Sequence, residues 1–287
     1  MIVVKISDGL GNQLFQYAYA RVLQTKIKHS IYLDISDINR LERVGTNPEM
    51  QYYDTRKYQL DNLSITLPII SKDKISKIYK RNAYTCKFLR YCDELQLLPT
   101  VFLNEALSRE SSFHFSKWQN YYIEGYFFDK KYYEKEIQLL MQEFRLKKKL
   151  VLSDEIQKIL ADRNTVSIHI RRGDFLRIGR DISKNNYYEK AMKNIKDRIY
   201  TPFLLVFSDD ITWVQDNMKF DLDYLYISGQ GFSDCEELTL MSMCKNNIIA
   251  NSTFSYWGAL LNPNKEKIVI SPRGWRQKII PDTWIQL

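Results

Sequence analysis

The chain of 287 residues is poor in the side chains that build metal and redox sites. Cysteine occurs four times, as Cys86, Cys92, Cys235 and Cys244, and no two of them form a Cys-x-x-Cys pair. Histidine occurs only three times, at widely spread positions. Such spacing predicts no zinc site, and cysteines that are reduced and structural. Nothing assembles into a Ser-His-Asp or Cys-His arrangement for nucleophilic catalysis. Asp209-Asp210 is the nearest approach to an acidic metal motif, and no other feature of the sequence supports it. Apolar runs last only a few residues, which excludes a transmembrane helix. The opening Met1-Ile2-Val3-Val4-Lys5-Ile6-Ser7-Asp8-Gly9 is interrupted too soon for a signal peptide and reads as a first strand, so a cytoplasmic protein is expected. No repeat or low-complexity segment is present.

What is there is an ordinary globular mixture, 45% hydrophobic and 26% charged, of a length that fits two domains. The formal net charge is +8, concentrated in lysine-rich stretches such as Lys72 to Arg81 and Lys147-Lys148-Lys149. Runs of this kind are usually solvated faces. They also suit an anionic substrate or an acidic membrane surface. No nucleic-acid-binding motif accompanies the charge, so a nucleic-acid partner is not expected.

The first half opens as a strand over 2–6, a turn at Gly9 and Gly11, and a helix from about Asn12 to Lys26. Leu14, Ala18 and Val22 form a buried stripe on that helix. A strand follows over 31–34, residues 40–118 resist parsing, and a strand over 121–126 and a helix over 130–144 come next. From about 153 the pattern is cleaner. Strands at 166–170, 203–207, 223–227, 247–250 and 267–270 alternate with helices at 186–198, 210–217, 234–245 and 253–261. Alternation of this kind predicts a parallel sheet and a Rossmann-like domain. Ser233 and Glu236 have the spacing of a capping box. The expected domains are 1–152 and 153–287.

The most informative stretch is His169-Ile170-Arg171-Arg172-Gly173-Asp174, directly after a strand. Ligands of open α/β sheets bind at the carboxyl ends of strands. Arginine there offers a permanently charged, planar fork matched to phosphate oxygens, which points to a diphosphate. Gly9-Leu10-Gly11-Asn12-Gln13 also stands between a strand and a helix, with Leu14 where a dinucleotide fingerprint needs its third glycine. It reads equally as a ligand-binding helix start, through Asn12 and the backbone N–H groups, or as a tight turn. Ser208-Asp209-Asp210 ends a strand and either caps a helix or binds a ligand. Ser252, Thr253 and Ser255 open a helix whose N–H groups favour phosphate, with simple capping by Ser252 as the alternative. Glu237 is either a favourable first-turn acid or a carboxylate that accepts hydrogen bonds from a guanine edge. Trp257 reads as core.

Together these segments resemble the α-1,2-fucosyltransferases of glycosyltransferase family 11. The match is carried by Gly9 to Ala18, His169 to Asp174, Phe207-Ser208-Asp209-Asp210 and Asn251 to Asn262, with Glu124-Gly125-Tyr126-Phe127 beside them. The resemblance implies an α/β, GT-B architecture, two Rossmann-like domains facing across a cleft. It implies GDP-L-fucose as donor, a galactose-terminated glycan as acceptor, and no metal or other cofactor. Arg171 is matched to a contact with the donor diphosphate, and His169 and Asp174 to the rest of that element. Thr253 and Ser255 match hydroxyls near the phosphates, Glu237 a position that reads guanine, and Asp209 one of an acidic pair. Asp8 replaces the first of two glycines usual in the family, and either adds a carboxylate or tolerates the turn. Tyr256-Trp257 stands where Trp-Trp is common.

The activity so implied is inverting transfer of L-fucose to the 2-hydroxyl of a galactoside, in bacterial surface glycan synthesis. Arg171 and the N–H groups of 252–255 would stabilise the charge left on the departing phosphate. Asp174 and Asp8 are the candidates to take the acceptor's proton. The alternatives are a glycosyltransferase with another donor or linkage, and a non-enzymatic basic module for anionic glycans.

Overall fold

The computed structural model describes residues 1–38, 41–44, 52–78, 87–105 and 114–287. Cys86 and parts of the 40–118 segment lie outside these residues. The chain divides into two compact units: Met1–Asp61 with Ile65–Glu143, and Asn62–Ser64 with Phe144–Leu287. The lysine run at 147–149 therefore lies inside the second unit. Two interactions draw 144–147 there. Phe144 packs edge-on against Trp257 at 5.3 Å between ring centroids, and the backbone of Asn62 and Ser64 pairs with that of Arg145 and Lys147.

In the first unit the strands are β1 (Ile2–Lys5), β2 (Ile31–Asp34), β3 (Leu41–Val44), β4 (Tyr52–Thr55), β5 (Thr100–Asn104) and β6 (Asn120–Glu124). Four of them form a parallel sheet of order β2-β1-β6-β5, and β3 and β4 pair separately as an antiparallel ribbon. The strand expected over 121–126 ends at Glu124, because the backbone turns at Gly125 and reaches φ +56° at Phe127. The helix expected over 130–144 is real only as Ile137–Glu143, preceded by 3-10 turns at Lys130–Tyr132 and Glu134–Glu136. Asp129 caps the first turn by accepting from the Lys131 N–H, which holds the segment in short turns.

The helix Leu10–Lys26 starts earlier than expected, with Gly9 as its N-cap. The turn before it does not use glycine for its left-handed residue: Gly9 has φ −75°, and Asp8 carries φ +63°. Aspartate tolerates this region better than most residues, though glycine is easier there.

The second unit holds β7 (Asn164–Ile170), β8 (Pro202–Ser208), β9 (Asp223–Tyr226), β10 (Asn246–Ile248), β11 (Val269–Ser271) and β12 (Ile285–Gln286). All pair in parallel, in the order β12-β11-β10-β7-β8-β9. Counted from the β9 edge, this is the 3-2-1-4-5-6 order of a Rossmann sheet, and its switch point falls between β7 and β10. β8 is buried along its whole length, as a central strand covered on both faces must be. On one face Ile168, Ile170 and Val206 pack with Tyr188, Ala191 and Ile195 of the helix Tyr187–Arg198. On the other, Leu205 and Phe207 pack with Ile156, Leu240 and Met241. Each such side chain contributes roughly 1.5–3 kcal/mol by leaving water. Among the described residues, no helix is long and apolar enough to cross a membrane.

Gly258 lets the helix Thr253–Leu260 lie directly on the helix Asp234–Met243, since a Cβ there would stand 2.8 Å from Met241 Cβ. Gly258→Ala should therefore destabilise the second unit by about 1–3 kcal/mol through overpacking. Denaturant unfolding followed by tryptophan fluorescence would measure this, and an unchanged midpoint would refute the close packing.

Candidate active site

The switch point of the second sheet gathers the chemistry. β7 delivers His169 and Arg171 at its carboxyl end, and the backbone beyond β10 delivers Ser252 to Ser255 beside it. Arg171 donates from Nε and Nη2 to Asp174 Oδ1, at 3.0 and 2.7 Å. Its Nε also lies 3.2 Å from Asp209 Oδ2. Among the described residues no acceptor takes its Nη1. The guanidinium is thus held along one edge and open at the other.

Asp209 is placed by its backbone neighbours as well. Its Oδ1 accepts the Arg172 N–H at 2.8 Å, and a Cβ on Gly173 would collide with its carboxylate. Glycine is required at 173 for that approach. The neighbouring Asp210 takes the other role foreseen for this pair: it caps the helix Ile211–Asn217, accepting from the Trp213 N–H.

Arg172 is a different kind of arginine. Its Nη1 donates to Asp181 at 2.9 Å and to Ser183 at 2.7 Å, its Nε reaches Asp210 at 3.4 Å, and its guanidinium lies 3.3 Å over the Trp213 ring. With a side chain 6% exposed against 21% for Arg171, it is scaffold. Among the described residues, four carboxylates pair with these two guanidiniums.

His169 is buried, with its ring 5.5 Å from Phe254, and its Nδ1 has no hydrogen-bond partner. Burial first, and the Arg171 charge second, push its pKa down to about 3, so the ring is neutral. Its carbonyl accepts from the Tyr188 hydroxyl at 3.0 Å. Tyr187 donates to the Ile249 and Ile270 carbonyls at 2.7 and 3.1 Å, which fixes the adjoining strand ends.

Ser252 is the N-cap of the helix Thr253–Leu260, accepting from the Phe254 N–H at 3.3 Å. Ser255 is buried, and its hydroxyl is taken up by the backbone: it accepts from the Ala250 N–H at 3.2 Å and donates to the Ser252 carbonyl at 3.4 Å. Thr253 stands in the first turn, partly buried. Glu237 stands in the first turn of the helix Asp234–Met243, and Glu236 completes the capping box with Ser233. Ser228 accepts from the Ser208 N–H at 2.9 Å and donates to Glu237 at 3.0 Å, tying that carboxyl to the end of β8. Burial pushes the Glu237 pKa up to about 7, with Asp234 adding to the rise and the Ser228 bond opposing it. Among the described residues, no three His, Cys, Asp or Glu side chains are placed to hold a metal ion.

Asp8 and Asn12 belong to the first unit. The sequence reading passed over the two glutamines that organise their surroundings. Gln13 donates to the Asp8 and Lys57 carbonyls at 2.7 and 2.8 Å and accepts from the Gln59 N–H at 3.1 Å. Gln16 accepts from the Ser7 N–H at 2.8 Å and donates to Ser7 Oγ and the Gly125 carbonyl at 3.0 and 3.2 Å. The available signal was two amides three apart on the same turns as the buried stripe, where each must find partners. Tyr187, Tyr188 and Ser228 carried no such signal.

A chain with this fold has solved counterparts. The fucosyltransferase NodZ from Bradyrhizobium superposes with a TM-score of 0.53 at 13% identity, over 91% of this chain and 92% of that one. The GT-B, α/β class is thereby shown for this chain. The Escherichia coli O-antigen biosynthesis glycosyltransferase WbnK is 33% identical, over 98% of this chain and 99% of its own length. The E. coli alpha-1,2-colitosyltransferase is 28% identical, over 100% and 99%. The model of glycosyl transferase family 11 matches residues 1–278, and the chain belongs to that family of glycosyltransferases.

Proposed function

We propose that the enzyme transfers L-fucose from GDP-L-fucose to the 2-hydroxyl of a terminal galactoside, with inversion, in O-antigen synthesis. The observation that carries this reading is the Arg171 guanidinium, held on one edge by Asp174 and Asp209 and open at Nη1, at the Rossmann switch point. In a direct displacement the acceptor oxygen bonds to the fucose anomeric carbon as the bond to the β-phosphate oxygen breaks. GDP leaves with the electron pair. Arg171 and the N–H groups opening the helix Thr253–Leu260 offset the charge that develops on it. No metal is assigned to this step. His169, neutral and buried, presents no competing charge beside the phosphates. Glu237, ionised, accepts from the guanine N1–H and N2–H₂. Asp174 or Asp8 takes the acceptor's proton. The lysine-rich faces would hold the cytoplasmic enzyme at an acidic membrane surface.

The relative named alpha-1,2-colitosyltransferase favours a second reading, a colitosyl donor with the same linkage. Competition between GDP-fucose and GDP-colitose separates the two.

The decisive assay is acceptor-dependent GDP release from GDP-fucose with β-galactosides, in the presence of EDTA. Wild type should turn over with EDTA present, and Arg171→Ala should be slower by on the order of 100- to 1000-fold while still folded. Near-normal turnover in the variant would remove Arg171 from the mechanism.

Glu237 adds a pH signature. Its carboxyl is protonated below about 7, so donor affinity should weaken as pH falls from 8 to 6. The loss should approach about tenfold per unit below the pKa. Because the folded-state pKa lies above the unfolded one, the stability cost of Glu237 builds as pH rises from about 4.5 to about 7 and is fully present above that. Glu237→Gln should therefore bind GDP weakly, with a flat pH profile, yet melt higher than wild type at pH 8. Calorimetric GDP titrations and melts across pH would show both, and a variant that keeps the wild-type profile would exclude this carboxyl.

A further inference from the structure

The first unit has a cavity of about 410 Å³ that the donor chemistry does not use. It opens at the carboxyl ends of β1, β5 and β6, and its described lining residues all belong to the first unit. The cavity therefore lies where ligands of open α/β sheets bind, at the carboxyl ends of parallel strands.

The walls are built rather than incidental. Gln16, buried on the helix Leu10–Lys26, ties the loop after β1 to the loop after β6 through Ser7 and Gly125. Gly125 is obligatory, since a Cβ would stand 2.7 Å from Glu105 Cβ. Glu105 accepts the Tyr126 N–H at 3.1 Å. Phe127 then takes its left-handed φ and stacks on Tyr19 at 3.8 Å. This leaves the Tyr126 ring exposed and backed in parallel by Phe128 at 5.2 Å.

The chemistry of the lining selects its occupant. Glu105 and Glu124 are hydrogen-bond acceptors, Asn104 and Lys5 supply donors, and Tyr126 offers a flat apolar face. Lys5 is balanced by Asp37 at 2.7 Å and Glu124 at 3.4 Å. Among the described lining residues, two carboxylates against one ammonium disfavour an anion. Clustered hydroxyls on one edge and C–H groups on one face are what such walls accept, and a pyranose ring has both.

We propose that this cavity is a subsite for a neutral pyranose, with Tyr126 stacking on the ring and Glu124 and Glu105 accepting from its hydroxyls. Naming that sugar as part of the acceptor rests on the transferase reading above; sugar binding itself does not.

Saturation-transfer NMR on the full chain tests it, with methyl β-D-galactopyranoside and methyl β-D-glucuronide as probes. GDP binding and a circular dichroism melt are measured alongside. The galactoside should bind and the glucuronide should not. Tyr126→Ala and Glu124→Gln should each weaken galactoside binding by about tenfold, with Tyr126→Phe near wild type and GDP binding unchanged throughout. In turnover, the same changes should raise acceptor KM and leave donor KM alone. Glucuronide binding as strong as galactoside binding, or folded Tyr126→Ala and Glu124→Gln variants that bind galactoside normally, would overturn the subsite. Galactoside binding that is lost in Tyr126→Ala supports the subsite even where wild type neither binds GDP nor uses GDP-fucose. That second failure would count against the donor reading alone.

Discussion

A guanidinium held against two carboxylates is the constraint from which the second unit's site follows. Arg171 directly follows the central strand β7, whose ladder with β8 runs to Ile170. Its side chain is fixed by Asp174, three residues on, and by Asp209 at the end of β8. Asp209 could not approach as it does if residue 173 had a side chain. The pairing is partly solvated, so its net contribution to stability is modest. Its larger effect is orientation. A planar fork pinned along one edge presents the other in a fixed direction before any ligand arrives, which is the kind of preorganisation electrostatic catalysis depends on.

The adjacent arginines show how environment divides roles that the sequence leaves equal. Arg172 stacks on Trp213 and spends its donors on Asp181, Ser183 and Asp210. Removing it would leave half-buried carboxyl and hydroxyl groups without their donor, a folding defect rather than a loss of ligand contact. The hydroxyl residues at 252–255 divide in the same way. Ser255 and Ser252 are bound to nearby backbone, and what the segment offers a phosphate is the N–H end of the helix they shape.

Much of this was legible. Parallel strands alternating with helices, the motif at the end of β7 and the capping box at Ser233 follow from local pattern and local chemistry. Elsewhere long-range contacts decided. The 130–144 segment has helical composition, yet its first half is broken into 3-10 turns. The left-handed residue of the turn before the first helix is Asp8 rather than a glycine, where Gln13 donates to the Asp8 carbonyl and Gln16 accepts from the Ser7 N–H. β12 has only two residues, too short for any periodicity to register. The first unit's cavity was invisible because its walls come from residues 5 to 126, brought together only by the parallel register of β1, β5 and β6.

The distribution of charge argues against the simplest account of a basic protein. A net +8 suggests a field that collects anions. Among the described residues, four carboxylates pair with the two guanidiniums at the switch point of the second sheet, and two carboxylates and one ammonium line the first unit's cavity. Among the described residues, the surplus of lysine therefore lies outside both sites. A diphosphate that settles beside Arg171 gains little from a general positive potential. It must be held by the open edge of one oriented guanidinium and by neutral N–H donors at a helix end, with the carboxylates keeping that guanidinium in place. Recognition of this sort depends on geometry more than on charge count. It explains why a strand terminus, a glycine and a helix start recur together here, where a cluster of surface lysines would have sufficed to attract an anion but not to orient one.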